Sequence, residues 1–302
     1  MNGEGTSLRV VICTKRDLAG ALILNQVLPR LAADQVMVLL SDKTRPVENA
    51  VPELAEIKFL ERDLPMDTLF PLIDRDLAGA DEAGLATFAG LARRHNVEIQ
   101  VVDDINDPAG EAMLRAFAPD VMLSARFSLI FKSNVFDIPR FGTYNVHPGA
   151  LPRYAGLFAP FRCMMDGNEA IGCTLHRVDK GIDTGPVVGI GWLPVDGAHS
   201  LLWHVVHTYD SGLELFFAML DGLRQGVAPQ PLIQDRSLRV YGSLPGREAF
   251  DAFRAKGFSL FSPEEYQAML AGFLPPSDMD HLHAIATLAA EKVGASCCCA
   301  RA

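Results

Sequence analysis

Two hydrophobic periods alternate along the first 125 residues of the chain. Short apolar, β-branched runs are typical of buried parallel strands, and stretches with apolar residues three and four positions apart predict helices between them. In the first helix Leu24, Leu28 and Leu31 share one face, and Pro29 predicts a kink or an early end. This alternation predicts an α/β fold, with a Rossmann-like, mostly parallel sheet and helices on both faces. The predicted strands are residues 8–13, 36–40, 97–102 and 120–125, and the predicted helices are residues 18–31, 81–95 and 111–117.

The second half of the chain becomes richer in Gly and Pro from Arg140 onwards, where a strand is predicted to run into a structured loop. The pattern then predicts strands at residues 172–178, 187–195 and 238–242, and helices at residues 161–168, 200–222, 247–256 and 263–271. We expect a catalytic domain over residues 1–235 and a C-terminal appendage over residues 236–302. The appendage is too short to fold alone, so we expect it to pack on the core and to end in a disordered tail.

Composition narrows the function further. The chain has 302 residues, of which 49% are hydrophobic and 21% charged, a balance that excludes wholesale disorder. Its formal net charge of −10 repels phosphate backbones, so we expect no nucleic-acid partner. No transmembrane run or signal sequence is evident, which favours a cytoplasmic protein with no membrane partner. The cysteines fit neither a disulfide framework nor a zinc site, and no metal is expected; they are Cys13, Cys163, Cys173, Cys297, Cys298 and Cys299.

Three local patterns offer chemistry. Asn145 and His147 lie two residues apart at a strand end, so both can face one cavity as an amide donor and an imidazole. Asp183 follows in a Gly-rich loop that can fold back toward His147. Residues 124–131 form an aromatic and aliphatic segment that could line a pocket for a flat heterocycle. Taken singly, each pattern is also compatible with a structural role: a satisfied histidine, a turn aspartate and ordinary core packing.

Together the three patterns resemble the folate-dependent formyltransferases. NVHPGALPRYAG, DKGIDTGPVV and PDVMLSARFSLI are similar to that family's catalytic motif, aspartate loop and folate strand. The resemblance implies 10-formyltetrahydrofolate as co-substrate and Asn145, His147 and Asp183 as catalytic residues, with Asp183 keeping His147 protonated. His176 matches a position that supports the Asp183 loop. The resemblance also implies a folate site formed by Phe127, Leu129, Ile130, Phe131, Val178, Asp179, Gly181 and Ile182.

The acceptor of the formyl group stays open at this stage. The turn after the first strand, Thr14 to Asp17, has no glycine to hold a phosphate, and the acidic balance favours a small cationic amino acid. We therefore expect N5-hydroxyornithine, in siderophore biosynthesis, with its carboxylate held by Lys15, Arg16 or Arg126. The alternatives are a nucleotide-linked amino sugar, glycinamide ribonucleotide, or a catalytically silent folate-binding module. An NAD-dependent dehydrogenase is disfavoured because no G-x-G-x-x-G follows the first strand.

Overall fold

The computed structural model describes residues 7–76 and 84–274 of the chain. The strands are β1 Arg9–Lys15, β2 Gln35–Ser41, β3 Glu98–Val101, β4 Val121–Ala125, β5 Thr143–His147, β6 Ala155–Gly156, β7 Ala170–Arg177, β8 Val187–Pro194 and β9 Tyr241–Gly242. The helices are α1 Leu18–Arg30, α2 Pro52–Lys58, α3 Phe70–Asp76, α4 Phe88–His95, α5 Pro108–Phe117, α6 Ser133–Phe136, α7 Ala159–Met165, α8 Leu201–Arg224, α9 Arg247–Ala255 and α10 Pro263–Ala271.

Seven of these strands form one mixed sheet in the order β3-β2-β1-β4-β5-β7-β8. The five strands from β3 to β5 are parallel, whereas β7 and β8 run antiparallel to their neighbours. Successive residues of a strand point to opposite faces, and β1 follows this rule with full burial on both sides. Val10 and Ile12 pack in the cluster that contains α1 and α8, while Val11 and Cys13 pack against α5 and α6. The predicted α/β fold, with a mostly parallel sheet covered on both faces, is confirmed.

Most predicted elements agree with the structure to within a few residues. Helix α1 spans Leu18–Arg30, with the Asp17 side chain accepting from Gly20 N at its start and Pro29 inside its last turn. The predicted helix 81–95 begins only at Phe88, with Thr87 as its N-cap, so the prediction is wrong for residues 84–87, while residues 77–83 lie outside the described residues. The strand predicted at 238–242 is reduced to the two residues of β9, which pair in parallel with β6.

The segment between β2 and α4 was not predicted from the sequence. It contains a 3-10 turn at Pro46–Asn49, helix α2 and two consecutive π-helical stretches, Phe59–Asp63 and Pro65–Leu69. Leu60, Leu64 and Met66 of these stretches pack against Leu18 of α1 and against residues of α10. We call residues 58–69 the π segment; because its apolar side is fixed in this way, its polar side faces the carboxyl edge of the sheet.

The described residues after position 235, as far as position 274, pack on the sheet domain, and the tail predicted to be disordered lies outside the described residues. Phe250 and Phe253 of α9 share a cluster with Phe161 and Leu201, and the Tyr266 hydroxyl of α10 donates to the Leu60 carbonyl at 2.7 Å. The three described cysteines, Cys13, Cys163 and Cys173, are buried free thiols, whereas residues 297–299 lie outside the described residues. None of the described helices is long and apolar enough to cross a membrane.

Candidate active site

A cavity of about 750 Å³ opens at the carboxyl edge of the parallel strands. In open α/β sheets this edge is where ligands bind, close to the point where the strand order changes direction. The cavity is lined by the ends of β1, β4 and β5, by the loop after β7, by α8 and by the π segment. Every residue predicted for the catalytic set and for the folate site contributes to this lining. The catalytic residues and the folate-binding residues predicted from the sequence therefore surround one continuous space.

Asn145, His147 and Asp183 converge within this cavity although Asp183 follows His147 by 36 residues. The Asp183 Oδ1 atom lies 3.7 Å from His147 Nδ1 and 3.8 Å from His176 Nε2. His147 and His176 are almost fully buried, at 5% and 3% exposure. The carboxylate thus faces two imidazoles at ion-pair distance, slightly beyond hydrogen-bond length.

Hydrogen bonds hold both the side chain of Asp183 and the backbone of its loop in place. The φ of Asp183 is 55°, in the left-handed region that Asp and Asn tolerate better than most residues. Gly156 N donates to Asp183 Oδ2 at 2.7 Å. The Gln234 amide donates to the carbonyls of Asp183 and Gly185, at 3.1 and 2.6 Å. The loop is therefore fixed by hydrogen bonds from β6 and from a residue 51 positions further along the chain.

His176 fixes the orientation of the Asn145 amide. The two residues are cross-strand partners in the antiparallel β5–β7 pair, and Asn145 Nδ2 lies 3.1 Å from His176 Nε2. Burial lowers the pKa of His176 to about 4, against a weaker upward effect of Asp183, so the ring is neutral at pH 7. Its Nδ1–H donates to the Arg177 carbonyl at 3.0 Å, which leaves Nε2 to accept from Asn145. One Nδ2–H and the Oδ1 atom of Asn145 remain for a ligand.

His147 is oriented by a backbone carbonyl. Its Nε2 donates to the Tyr154 carbonyl at 2.7 Å, so Nδ1 is the ring nitrogen that faces Asp183. The chain passes so close at Gly149 that a Cβ there would lie 2.6 Å from the Tyr154 oxygen and 2.9 Å from His147 Nε2. A glycine two residues after the histidine is therefore a geometric requirement of this hydrogen bond.

The predicted folate loop forms an aromatic platform. Phe127 and Phe131 stack with ring centroids 5.2 Å apart and an interplanar angle of 13°. Val178 and Leu129 pack beside them, while Ile130 and Ile182 leave large apolar surfaces exposed at 65% and 44%. The Asp179 carboxylate accepts from Gly181 N and from Thr184 Oγ1, at 3.0 and 2.6 Å, which shapes the second loop.

A buried polar atom beside this platform has no protein partner. The Ser128 hydroxyl oxygen is buried and makes no hydrogen bond, although Ser128 lines the cavity. Burying a hydroxyl without a partner is unfavourable. A flat apolar ligand with polar ring atoms, such as a pterin, fits both the platform and this hydroxyl.

The three cations predicted to bind the acceptor differ in availability. Lys15 lines the cavity. Arg16 lies outside the lining and pairs with Asp42 at 3.1 Å. Arg126 lines the cavity, but its guanidinium already contacts Asp17 at 2.7 Å and Glu61 at 2.5 Å. Of these three cations, Lys15 is consequently the one whose charged group is open to a ligand.

Several contributors to the site were missed from the sequence. Gln234, Glu61 and Tyr209 carry no motif, and Gln234 and Glu61 come from segments distant in sequence from the predicted catalytic residues. Sequence patterning gave no signal for them because their placement depends on how the π segment and the residues after β8 pack.

The histidines of α8 and its N-terminal approach lie apart from this chemistry. His199 pairs with Glu265 at 2.7 Å and stacks on Trp203, with ring centroids 3.8 Å apart. Among the described residues, no group of three His, Cys, Asp or Glu side chains is arranged to bind a metal ion.

The central part of the chain is similar in sequence to known proteins. Residues 93–200 match the family model described as formyl transferase. The methionyl-tRNA formyltransferase of Chlamydia abortus is 38% identical over 105 residues, which are 35% of this chain and 33% of that protein. The methionyl-tRNA formyltransferase of Pelobacter propionicus is 32% identical over 159 residues, which are 52% of this chain and 49% of that protein. The matched part thus spans between a third and a half of the length of these relatives.

The fold likeness extends further than the sequence likeness. A 4-N formyltransferase from Francisella tularensis superimposes with a TM-score of 0.51 over 82% of this chain and 86% of that one, at 15% identity. At that identity the likeness concerns the fold. The matched segment contains the predicted catalytic residues, which the structure brings together around one cavity. Residues 93–200 are thus similar in sequence to the formyl transferase family, and the likeness over the rest of the chain concerns the fold.

Proposed function

We propose that this protein transfers the formyl group of 10-formyltetrahydrofolate to a nitrogen atom of a small-molecule hydroxylamine or amine. The convergence of Asn145, His147 and Asp183 on one cavity, beside the Phe127–Phe131 platform, carries this proposal. The platform and the Ser128 hydroxyl would hold the pterin. The three polar side chains would act on the group that is transferred.

The residues of the site divide the chemistry between them. When bound, the folate supplies an activated formyl group. Asn145 donates its remaining Nδ2–H to the formyl oxygen as that atom gains negative charge, with the His147 imidazole beside it. The acceptor nitrogen bonds to the formyl carbon, the bond from that carbon to N10 breaks, and one proton passes from the acceptor nitrogen to N10. Asp183, 3.7 Å from His147 Nδ1, carries this proton together with the imidazole.

We propose N5-hydroxyornithine as the acceptor. A hydroxylamine is neutral at pH 7 and attacks without first losing a proton, whereas an alkyl amine with a pKa near ~10.4 is mostly protonated. Lys15 is open to the cavity and supplies a counter-charge for an amino-acid carboxylate. The turn after β1 contains no glycine, which disfavours a phosphoribosyl acceptor.

A nucleotide-linked amino sugar is the second candidate. Lys43 and Arg45, which follow β2, line the same cavity as Lys15 and could contact a diphosphate. Methionyl-tRNA, the acceptor that the names of the sequence relatives state, is disfavoured by the formal net charge of −10, because an acidic chain repels a phosphate backbone.

The test is a panel of acceptors under saturating 10-formyltetrahydrofolate. Tetrahydrofolate release and the mass of the formylated product are measured for N5-hydroxyornithine, ornithine, a nucleotide-linked 4-amino sugar and methionyl-tRNA. We expect the fastest turnover with N5-hydroxyornithine and none in the Asn145→Ala variant. Faster turnover of the sugar or the tRNA would replace the acceptor, and formyl transfer that persists in the Asn145→Ala variant would contradict the mechanism.

A further inference from the structure

One part of the cavity wall is formed by the end of β1, the π segment, the residue after β4 and α8. Lys15, Glu61, Arg126 and Tyr209 supply its polar groups, and apolar residues of α8, including Val205, form a further wall. The Glu61 and Arg126 side chains keep only 12% and 14% of their surface exposed. The catalytic proposal made above uses none of these polar groups except Lys15.

Arg126 is engaged by protein groups on this wall of the cavity. Its Nε donates to Asp17 Oδ2 at 2.7 Å, and one of its terminal nitrogens contacts Glu61 Oε2 at 2.5 Å. The buried Tyr209 hydroxyl is also hydrogen-bonded to it. Asp17 in turn caps α1 through Gly20 N. The guanidinium therefore fixes the position of the Glu61 carboxylate, and two carboxylates already neutralise its charge.

The fixed group carries an excess of negative charge. Two carboxylates, Asp17 and Glu61, face one guanidinium, that of Arg126. Burial raises the pKa of Glu61, with Arg126 opposing this rise and Asp17 adding to it. An incompletely paired buried carboxylate is unfavourable and is stabilised by a cation. Glu61 Oε2 takes the Arg126 contact, and no ion pair within 4.0 Å joins Glu61 to Lys15 in the described part of the chain.

Lys15 and Glu61 line the same cavity, and Lys15 lowers the pKa of Glu61 electrostatically, so one positive and one negative group belong to one cavity wall. This arrangement is complementary to a zwitterion. An ammonium group fits Glu61 and a carboxylate fits Lys15, each as a charge-assisted hydrogen bond. A diphosphate, by contrast, would bring further negative charge against Glu61 and Asp17.

We propose that Glu61 and Lys15 form the subsite that recognises the α-ammonium and α-carboxylate groups of an amino-acid acceptor, with Arg126 as the positioning residue of Glu61. The proposal rests on the formyl transfer proposed above and makes the π segment the determinant of acceptor class. The side chain of the amino acid then extends toward Asn145 and His147, which line the same cavity.

The test pairs enzyme variants with acceptor analogues. Glu61→Gln keeps the size and hydrogen-bonding capacity of the side chain but removes its charge. Asp67→Asn is the matched control, because it makes the same change at an exposed position of the same segment. The acceptors are N5-hydroxyornithine and 5-(hydroxyamino)pentanoate, which lacks the α-ammonium group. Lys15→Met is assayed with N5-hydroxyornithine and N-hydroxyputrescine, which lacks the carboxylate.

We expect Glu61→Gln to raise KM for N5-hydroxyornithine at least about tenfold with little change in kcat, the loss typical of a charge-assisted hydrogen bond. KM for 5-(hydroxyamino)pentanoate should stay within about twofold, and Glu61→Asp should recover part of the affinity. Lys15→Met should raise KM for N5-hydroxyornithine but leave KM for N-hydroxyputrescine unchanged. Equal effects of Glu61→Gln on both of its acceptors, or an effect as large in Asp67→Asn, would overturn the proposal.

A binding measurement separates this subsite from the catalytic proposal. Ornithine is titrated calorimetrically into wild-type protein and Glu61→Gln protein in the presence of tetrahydrofolate. If the wild type binds ornithine and the variant does not, the subsite is supported. This holds even if no hydroxylamine is formylated, because absence of formylation contradicts only the proposed function. Equal ornithine binding by both proteins, or no binding by either, overturns the subsite and leaves formyl transfer to be judged by the acceptor panel.

Discussion

Replacing Asp183 by Asn isolates the charge of the carboxylate from its structural role. The amide retains an oxygen that can accept from Gly156 N, and Asn tolerates the left-handed backbone at φ 55°. We therefore expect the variant to fold and to bind folate as the wild type does. What it lacks is the negative charge 3.7 Å from His147 Nδ1.

The distance sets the size of the expected effect. Two opposite unit charges 3.7 Å apart attract each other by about 4 kcal/mol at an effective dielectric constant of about 20. If this interaction develops only in the transition state, its loss lowers kcat by about a thousandfold, within the ~10²–10⁴ range of general acid–base groups. The decrease should appear in kcat and in kcat/KM equally.

The assay is single-turnover formyl transfer followed by tetrahydrofolate release, with folate affinity measured separately by fluorescence titration. Asp137→Asn, at an exposed position after α6, is the control for loss of one carboxylate. A kcat within about tenfold of the wild type would show that the Asp183 charge does not stabilise the transition state. A parallel loss of folate affinity would instead assign Asp183 to binding.

Two further predictions concern the supports of the catalytic residues. Because burial lowers the pKa of His176 from 6.5 to about 4, the unfolded chain binds a proton that the folded chain does not, so stability falls as pH decreases from 6.5 to 4. The loss should reach about 3 kcal/mol in urea unfolding and be reduced in His176→Gln; an unchanged pH slope in that variant would contradict the assignment. Gln234→Glu replaces a donor to the Asp183 and Gly185 carbonyls by an acceptor, and should lower the free energy of unfolding by about 1–3 kcal/mol together with kcat; full activity would show that these bonds do not position the loop.

The local chemistry of the site could be predicted from the sequence because it depends on short spacings. Asn145 and His147 share a face because residues two apart on a strand do so, and the glycines near Asp183 predict a tight loop. The first four parallel strands follow from the alternation of buried apolar runs with helical periods. The reversal of β7 could not be predicted, since nothing in its residues distinguishes an antiparallel partner from a parallel one.

The part of the cavity that we propose for the acceptor depends instead on tertiary packing. Glu61 lies in a π-helical stretch whose spacing fits neither the helical nor the strand period, so its direction could not be predicted. The sequence predicts Arg126 as a ligand of the acceptor because it does not show Asp17 and Glu61 converging on this residue from positions 109 and 65 residues away. Whether a charged side chain is available to a ligand depends on the residues that the fold brings next to it. Arg126 is paired with Asp17 and Glu61, whereas Lys15 is open to the cavity.

The pairing of β6 with β9 connects the C-terminal part of the described chain to Asp183, and Gly156 is the point of connection. Its N–H holds Asp183, and its φ is 86°. A Cβ at this position would lie 2.3 Å from the Gly242 carbonyl oxygen, so Gly156→Ala must push β9 away and move the N–H that orients the carboxylate. Gly226→Ala is the matched control, because Gly226 has a similar φ of 77° with no atom near the added Cβ.

Both variants should lose about 1–2 kcal/mol of unfolding free energy from the left-handed backbone, with an additional loss from the clash in Gly156→Ala alone. The decisive readout is kcat, since displacement of the Asp183 support should lower it at least about tenfold in Gly156→Ala and leave it unchanged in Gly226→Ala. Equal activity in the two variants, measured on protein shown by thermal unfolding to be folded, would mean that the residues after position 235 stabilise the sheet without organising the catalytic loop. A loss confined to Gly156→Ala would instead mean that β9, remote from the family motifs in sequence, is part of what aligns Asp183 with His147.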